Sequence, residues 1–118
     1  MISAEQQVQH IERDIKASKK IIEVGDALSR LKSNRDFKKV VLDEYFEQEA
    51  IRLVHLKSDS NMQSESSQEF ILKQMDAIGA FKSYLQLVER NTELARKTLV
   101  FNEQMRDEIL QGEEEWIS

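Results

Sequence analysis

The residues best equipped for chemistry in this 118-residue chain are two histidines and a group of carboxylates. His10 and Asp14 would share one face of a helix, but one imidazole and one carboxylate are too few ligands for a metal site. Four carboxylates lie close together: Asp43, Glu44, Glu47 and Glu49. A di-iron bundle uses carboxylates in this way, but it also needs Glu-x-x-His on two helices, and the sequence has none. We therefore predict no metal or cofactor and a solvated acidic face.

Arg52 and His55 lie inside the apolar run from Ile51 to Leu56. Polar side chains in such a run are typically buried, where they bond a carboxylate of a neighbouring helix and fix the helix register. Contact with a partner protein is the alternative interpretation. Both residues are therefore candidate contacts.

The sequence contains no recognisable catalytic motif. It has no cysteine, which excludes disulfides and thiol catalysis. It also lacks a Gly-x-Ser-x-Gly turn, a phosphate-binding loop and a dinucleotide-binding fingerprint. We predict that the chain is not an enzyme.

Composition favours long helices in one domain, residues 1–118. The chain has no proline and three glycines, so few positions force a helix to end. No basic segment followed by an apolar run opens the sequence, and no apolar run approaches the roughly 20 residues of a membrane span. We expect a protein that is neither secreted nor membrane-bound.

Charge is unevenly distributed along the chain, whose net charge is −5. Residues 13–39 hold nine Lys or Arg against four acids, and residues 40–118 hold eight against sixteen. The basic stretch could bind the phosphates of a nucleic acid. Pairing with acidic parts of this chain or of a second copy is favoured, because the basic stretch contains a single aromatic residue, Phe37.

The first helix is predicted over residues 3–32. Ser3 and Gln6 form a capping box at its start. Its apolar residues follow a near-heptad spacing up to Ile22, with Ser18 in one core position. Gly25 is expected to bend or interrupt the helix there.

The second helix is predicted over residues 35–57, with Asn34 as its N-cap. It is apolar over more than half of its circumference. We therefore expect it to be the central helix, covered on two sides.

The third and longest helix is predicted over residues 66–111. Ser66 and Glu69 form a capping box, and Gly112 is expected to end the helix. Ala77, Gly79 and Ala80 form a patch of small residues that would let another helix approach closely, or that is merely tolerated. The acidic tail, 112–118, carries Trp116, which either anchors a partner or folds back on the helices.

Together these patterns predict an all-α, elongated three-helix protein. The second and third helices would form an antiparallel hairpin, and the first helix would pack alongside or reach a neighbouring copy, with coiled-coil-like contacts. Its predicted core residues are Phe37, Val41, Tyr45, Ile51, Val54, Ile71, Ile78, Leu85 and Val88.

Several segments between residues 27 and 110 resemble a group of small acidic helical proteins encoded by tailed bacteriophages. The segments include Ala27-Leu28-Ser29-Arg30-Leu31, Asn34-Arg35-Asp36-Phe37-Lys38, Tyr45-Phe46, Glu49 to Asp59, Met62-Gln63, and Asp76-Ala77-Ile78-Gly79-Ala80. The resemblance implies a virion component or an assembly factor, located in the particle or in the host cytoplasm during assembly. It carries no catalytic residues, and residues 1–25 lie outside it.

These observations lead to a non-enzymatic structural or assembly role through helix–helix contacts, with phage structural proteins or further copies of the chain as partners. The alternatives are a phage protein that binds and inhibits or adapts a host protein, and a nucleic-acid binder that uses residues 13–39. The candidate partner contacts are Lys16, Lys19, Lys20, Arg52, His55 and Trp116. Reversing the charge of the three lysines is expected to weaken assembly.

Overall fold

A computed structural model describes the backbone of residues 2–117 and the side chains of residues 2–114. This part of the chain consists of helices and short connections, without a strand, so the all-α prediction is confirmed. Helix α1 spans Ala4–Ser33. Helix α2 joins three consecutive segments, Arg35–Phe37, Lys38–Glu49 and Ala50–Ser58. A 3₁₀ turn, Ser60–Met62, precedes helix α3, Glu65–Ile117.

Helix α1 begins with the reciprocal cap that its sequence predicts. The Ser3 amide donates to Gln6 Oε1, and the Gln6 amide donates to Ser3 Oγ, both at 3.1 Å. The expected interruption at Gly25 is absent, because α1 continues through this residue to Ser33. Gly25 instead allows a close approach, since a Cβ at this position would overlap the side chain of Thr92.

Helix α2 departs from the predicted α-helix over its middle twelve residues. Asn34 Oδ1 accepts from the amides of Asp36 and Phe37, both at 3.0 Å, and so caps the helix as predicted. The chain then widens into a π-helix over Lys38–Glu49. Such a helix needs more residues per turn than the 3.6 of an α-helix.

Burial follows a four-residue period along this stretch. Val41 and Leu42, then Tyr45 and Phe46, are half-buried, whereas the pairs of residues between them are exposed. No residue of this stretch is fully buried, so it is not the centrally covered helix that the sequence suggests.

Helix α3 is longer than predicted at both ends. It begins at Glu65, and Ser64 Oγ accepts from the Ser67 amide at 3.2 Å, so Ser64 caps it rather than Ser66. The preceding loop is held by Gln68, whose Nε2 donates to the carbonyl oxygens of Lys57 and Met62. The predicted end at residue 111 is also wrong, because the helix passes through Gly112, which has no positive φ angle.

The chain divides into two compact units. The first, here called the two-helix unit, comprises Met1–Ala27 and Val88–Ser118. The second, the hairpin unit, comprises Leu28–Leu87. Each contains its own buried residues.

The hairpin unit packs α2 against the first part of α3, as predicted. Leu53, Ile71 and Ile78 form its buried centre. The rings of Tyr45, Phe46 and Phe81 pack together beside them, with centroids 5.4 to 6.3 Å apart. Burial of large apolar side chains is the main stabilising contribution here.

The two-helix unit pairs α1 with the last part of α3 in opposite directions. Gly25 lies against Thr92, whereas Ile11, earlier in α1, lines a crevice with Ile109, later in α3. Its buried residues recur at steps of four and three on α1 and of three and seven on α3. They are Ile11, Ile15 and Ser18 on α1, and Thr92, Ala95 and Asn102 on α3. The half-buried Ile22, Gly25 and Leu99 continue this seam at steps of three and four. This is the spacing of a coiled-coil seam.

The predicted core residues differ widely in burial. Ile71, Ile78 and Leu85 are buried. Phe37, Val41, Tyr45 and Val88 are half-buried. Ile51 and Val54 are corrected to surface positions, with 50% and 52% of their area exposed. Ile51 lies about 160° and Val54 about 100° around α2 from the buried Leu53, so neither points into the core.

Candidate interaction surfaces

The histidine and carboxylates considered as metal ligands in the sequence do not come together in the structure. His10 and Asp14 are both exposed on α1. Asp43, Glu44 and Glu47 are exposed on the π-helical stretch, whereas Glu49 is half-buried. Within the described residues, no group of three or more His, Asp or Glu side chains could hold a metal ion.

Arg52 and His55 are surface residues rather than the buried register-fixing pair that the sequence suggests. Arg52 Nε donates to Glu49 Oε2 at 2.9 Å, one turn earlier on the same helix. This hydrogen bond, reinforced by the positive charge, lowers the pKa of Glu49, and the same bond raises the pKa of Arg52. His55 is exposed. Arg52 and Glu49 both belong to α2, so this ion pair does not link two helices.

The remaining candidate contacts fall into two groups. Lys16, Lys19 and Lys20 are all exposed on α1. Residues three and four apart are neighbours on a helix surface, so the three lysines share one face of α1. The side chain of Trp116 lies outside the described residues.

A shallow groove follows the π-helical stretch of the hairpin unit. It has a volume of about 490 Å³, and its lining includes Val40, Tyr45 and the Arg52–Glu49 ion pair. Val40 is 62% exposed. The groove offers an apolar floor with one ion pair at its edge, which suits a protein side chain better than a charged substrate.

Helix α3 carries an exposed stripe in the hairpin unit, here called the hairpin stripe. It consists of Phe70, Ala77, Ala80, Tyr84 and Leu87, at steps of seven, three, four and three. Phe70 and Tyr84 expose 58% and 57% of their area. The small residues noted in the sequence belong to this stripe, and no atom lies within 4 Å of a Cβ built at Gly79. An apolar stripe at this spacing is the surface that a helix presents to another helix.

The two-helix unit has two distinguishable sides. Asp26 follows Gly25 in the seam and Arg96 follows Ala95, and the two side chains form an ion pair. Residues that follow seam positions therefore meet on one side of the pair. His10 precedes the seam residue Ile11, and it lines a crevice with Met105. Residues that precede seam positions therefore share the opposite side.

This opposite side carries large apolar residues, here called the pair face. Ile21 and Val24 on α1 expose 42% and 53% of their area, and Leu94 and Phe101 on α3 each expose 61%. Each of the four immediately precedes a seam residue, so all point to the same side of the antiparallel pair. This face could have been found in the sequence by noting that large apolar residues also recur one position before the residues of the buried seam.

Cations line the outer edges of the two-helix unit. Arg13 and Lys20 lie on α1, and Arg90 and Lys97 lie on α3. Each stands two residues before a seam position, which directs it away from the other helix. Lys97 Nζ lies 3.8 Å from Glu93 Oε1. The pair face is thus an apolar surface between two basic edges.

Comparisons with known proteins add no family. No protein-family model, no curated protein and no solved structure matches the chain. Within the described residues, no helix is long and apolar enough to cross a membrane. The resemblance to phage proteins therefore stays a prediction.

Proposed function

We propose that this protein is a non-enzymatic assembly protein whose copies associate by burying exposed helix faces. One observation carries the proposal. Among the described residues, sixteen large apolar side chains are exposed, whereas eight apolar side chains are buried. Where such side chains align along one helix face, as Phe70, Tyr84 and Leu87 do, they form a surface suited to interaction.

The hairpin stripe is the surface that we assign to contact between copies. Its alanines permit close approach of two helices, and its aromatic and leucine side chains supply area to bury. Each 100 Å² of apolar surface removed from water contributes about 2.5 kcal/mol before the cost of association is subtracted.

The setting that we propose is a tailed-phage particle or its assembly in the host cytoplasm. This part of the proposal is supported by the sequence resemblance of residues 27–110, since the geometry indicates helix docking but not its place. Phage structural proteins would then be the further partners.

The nucleic-acid alternative has less support. A strand of phosphates needs cations along one stripe or groove. Lys16, Lys19 and Lys20 share one face of α1, because they are three and four residues apart. Glu12 and Glu23 lie one turn before and one turn after them on the same face, so this face is not uniformly basic.

Light scattering coupled to size-exclusion chromatography tests self-association. We expect the chain, 13.8 kDa as a monomer, to show a higher mass that rises with concentration. Tyr84→Ser with Leu87→Ser should return it to the monomer mass. Lys82→Ser with Gln86→Ser is the matched control, because both residues are exposed on the same helix but outside the stripe.

A monomer at every concentration would contradict the proposal. An oligomer that survives the change at Tyr84 and Leu87 would also contradict it, because the association would then use another surface. Circular dichroism establishes that each variant keeps its helical content.

A further inference from the structure

We infer that the pair face binds an amphipathic helix of a different protein, one with acidic residues along both of its flanks. The inference rests on the proposed assembly function and adds the chemical class of the second partner. It uses the two-helix unit alone, whereas self-association is assigned to the hairpin stripe.

The shape of the face indicates a helix as its occupant. Ile21 and Val24 project from one helix and Leu94 and Phe101 from the other, on the same side of an antiparallel pair. A third helix laid between them would bury all four side chains and complete a three-helix arrangement. Such a helix would present its own apolar residues at steps of three and four.

The charges beside the pair face indicate which kind of helix would bind there. Arg13 and Lys20 are seven residues apart on α1, and Arg90 and Lys97 are seven residues apart on α3. Seven residues of helix rise about 10.5 Å, so each edge repeats its charge once per two turns. A docked helix with Glu or Asp at heptad spacing on both flanks could place a carboxylate near each cation.

The same charges argue against a second copy of the pair face. Two identical faces packed together would bring basic edges alongside basic edges, which opposes association. The exposed acids of α2 are also unsuitable as the occupant. Asp43, Glu44 and Glu47 lie within five consecutive residues of the π-helical stretch, rather than on two flanks at seven-residue spacing.

A lipid surface is less well matched than a helix. Anionic membranes attract surfaces with apolar centres and basic borders. However, the same side of the pair includes the carboxylate of Asp14 and the amide of Asn91 among its apolar residues. Both would lose hydration in a lipid interface, whereas a partner helix can bond them with polar side chains.

Two synthetic peptides test the inference on the full chain. Both have leucine and isoleucine at heptad core positions, and they differ only in carrying Glu or Lys on the flanks. We expect the Glu peptide to bind roughly tenfold or more tightly than the Lys peptide, with the preference weakening as salt is added. Fluorescence anisotropy of labelled peptide measures both affinities.

Reversing the charge of residues at the basic edges should weaken binding of the Glu peptide and strengthen binding of the Lys peptide. In Lys20→Glu with Arg90→Glu the Glu peptide should bind roughly tenfold more weakly and the Lys peptide should gain affinity. Lys38→Glu with Lys39→Glu is the matched control, because both lysines are exposed in the hairpin unit and the change in net charge is the same. Its effect should stay within about twofold.

Four results would overturn the inference. They are binding of neither peptide, equal binding of both, an equal effect of the control variant, and binding to phosphatidylserine vesicles in preference to the Glu peptide. Light scattering of the chain without peptide distinguishes failure of this inference from failure of the proposed function. Oligomers that form normally while no peptide binds would contradict the partner inference alone, and oligomers abolished by Leu94→Ser with Phe101→Ser would show a second copy on the face.

Discussion

The two units of this chain bury different kinds of residue. The hairpin unit encloses Leu53 and Ile71 almost completely and packs three aromatic rings beside them. The two-helix unit buries Ile11 and Ile15, but its other buried residues are small or polar: Ser18, Thr92, Ala95 and Asn102. Large apolar burial gives stability, whereas small and polar seam residues set distance and register. We conclude that the hairpin unit supplies most of the stability and that the two-helix unit shapes a surface for recognition.

The buried polar side chains of the seam in the two-helix unit have hydrogen-bond partners. Thr92 Oγ1 donates to the Val88 carbonyl oxygen at 2.7 Å. In the described part of the chain, no fully buried side-chain nitrogen or oxygen lacks a hydrogen-bond partner. The seam therefore avoids the cost of unpaired buried polar groups while contributing little apolar area.

The largest predicted effect is truncation in the hairpin core. Leu53→Ala and Ile71→Ala should each lower the free energy of unfolding by about 2–5 kcal/mol, because both side chains are almost fully enclosed. Urea denaturation followed by circular dichroism measures the loss. Val54→Ala, at a residue that is 52% exposed, is the control and should cost far less. Equal losses at Leu53 and Val54 would mean that this packing is wrong.

A smaller effect on stability is expected from adding a side chain at Gly25, where α1 and α3 lie close together. Gly25→Ala would force its Cβ into Thr92, and overpacking costs about 1–3 kcal/mol against a gain of about 1 kcal/mol in helix propensity. The expected result is no gain or a net loss of stability, measured by the same denaturation. Thr92→Ala in the Gly25→Ala background should recover part of that loss.

Gly79 and Gly112 offer matched controls for this prediction. No atom lies within 4 Å of a Cβ built at either position, so alanine should stabilise the protein by roughly 0.5–1 kcal/mol. Stabilisation by alanine at all three glycines would show that α1 and α3 do not approach closely at Gly25.

The ion pair between Asp26 and Arg96 should contribute less still. Their side chains are 45% and 54% exposed, so the coupling between them should be roughly 0.2–1 kcal/mol. A double-mutant cycle with Asp26→Asn and Arg96→Gln measures it. The coupling energy should decrease as salt is added. A coupling energy that salt leaves unchanged would contradict an exposed ion pair.

The smallest effect is the acid sensitivity of Glu49 in the hairpin unit. Arg52 lowers the pKa of this carboxyl below its ordinary value of 4.5. A lowered folded-state pKa stabilises the protein above the unfolded pKa, and this contribution disappears as pH falls through the folded value. NMR titration of the Glu49 side chain should therefore give a lower midpoint than in Arg52→Gln. Equal midpoints in the two proteins would exclude the interaction.

The sequence predicted the local features of this fold because short-range rules determine them. The caps at Ser3 and Asn34 depend on residues within three positions, and absence of proline permits long helices. The hairpin could also be predicted, since the apolar stripe from Ile71 to Leu85 follows helical spacing.

Features that depend on a neighbouring helix could not be predicted in this way. Gly25 looks like a helix breaker until Thr92 is placed beside it. Ile51 and Val54 have the composition of core residues, but the hairpin unit leaves them uncovered. Apolar character alone does not reveal whether the partner of a helix face lies in the same chain or in another molecule.

Hydrogen–deuterium exchange of the free chain, resolved by peptide mass spectrometry, tests the division between the two units most directly. We expect amides around Leu53 and Ile71 to exchange slowly, and amides flanking Gly25 and Thr92 to exchange markedly faster because less apolar area is buried there. Equal protection in both units, or slower exchange in the two-helix unit, would contradict the assignment of stability to the hairpin unit and of recognition to the two-helix unit.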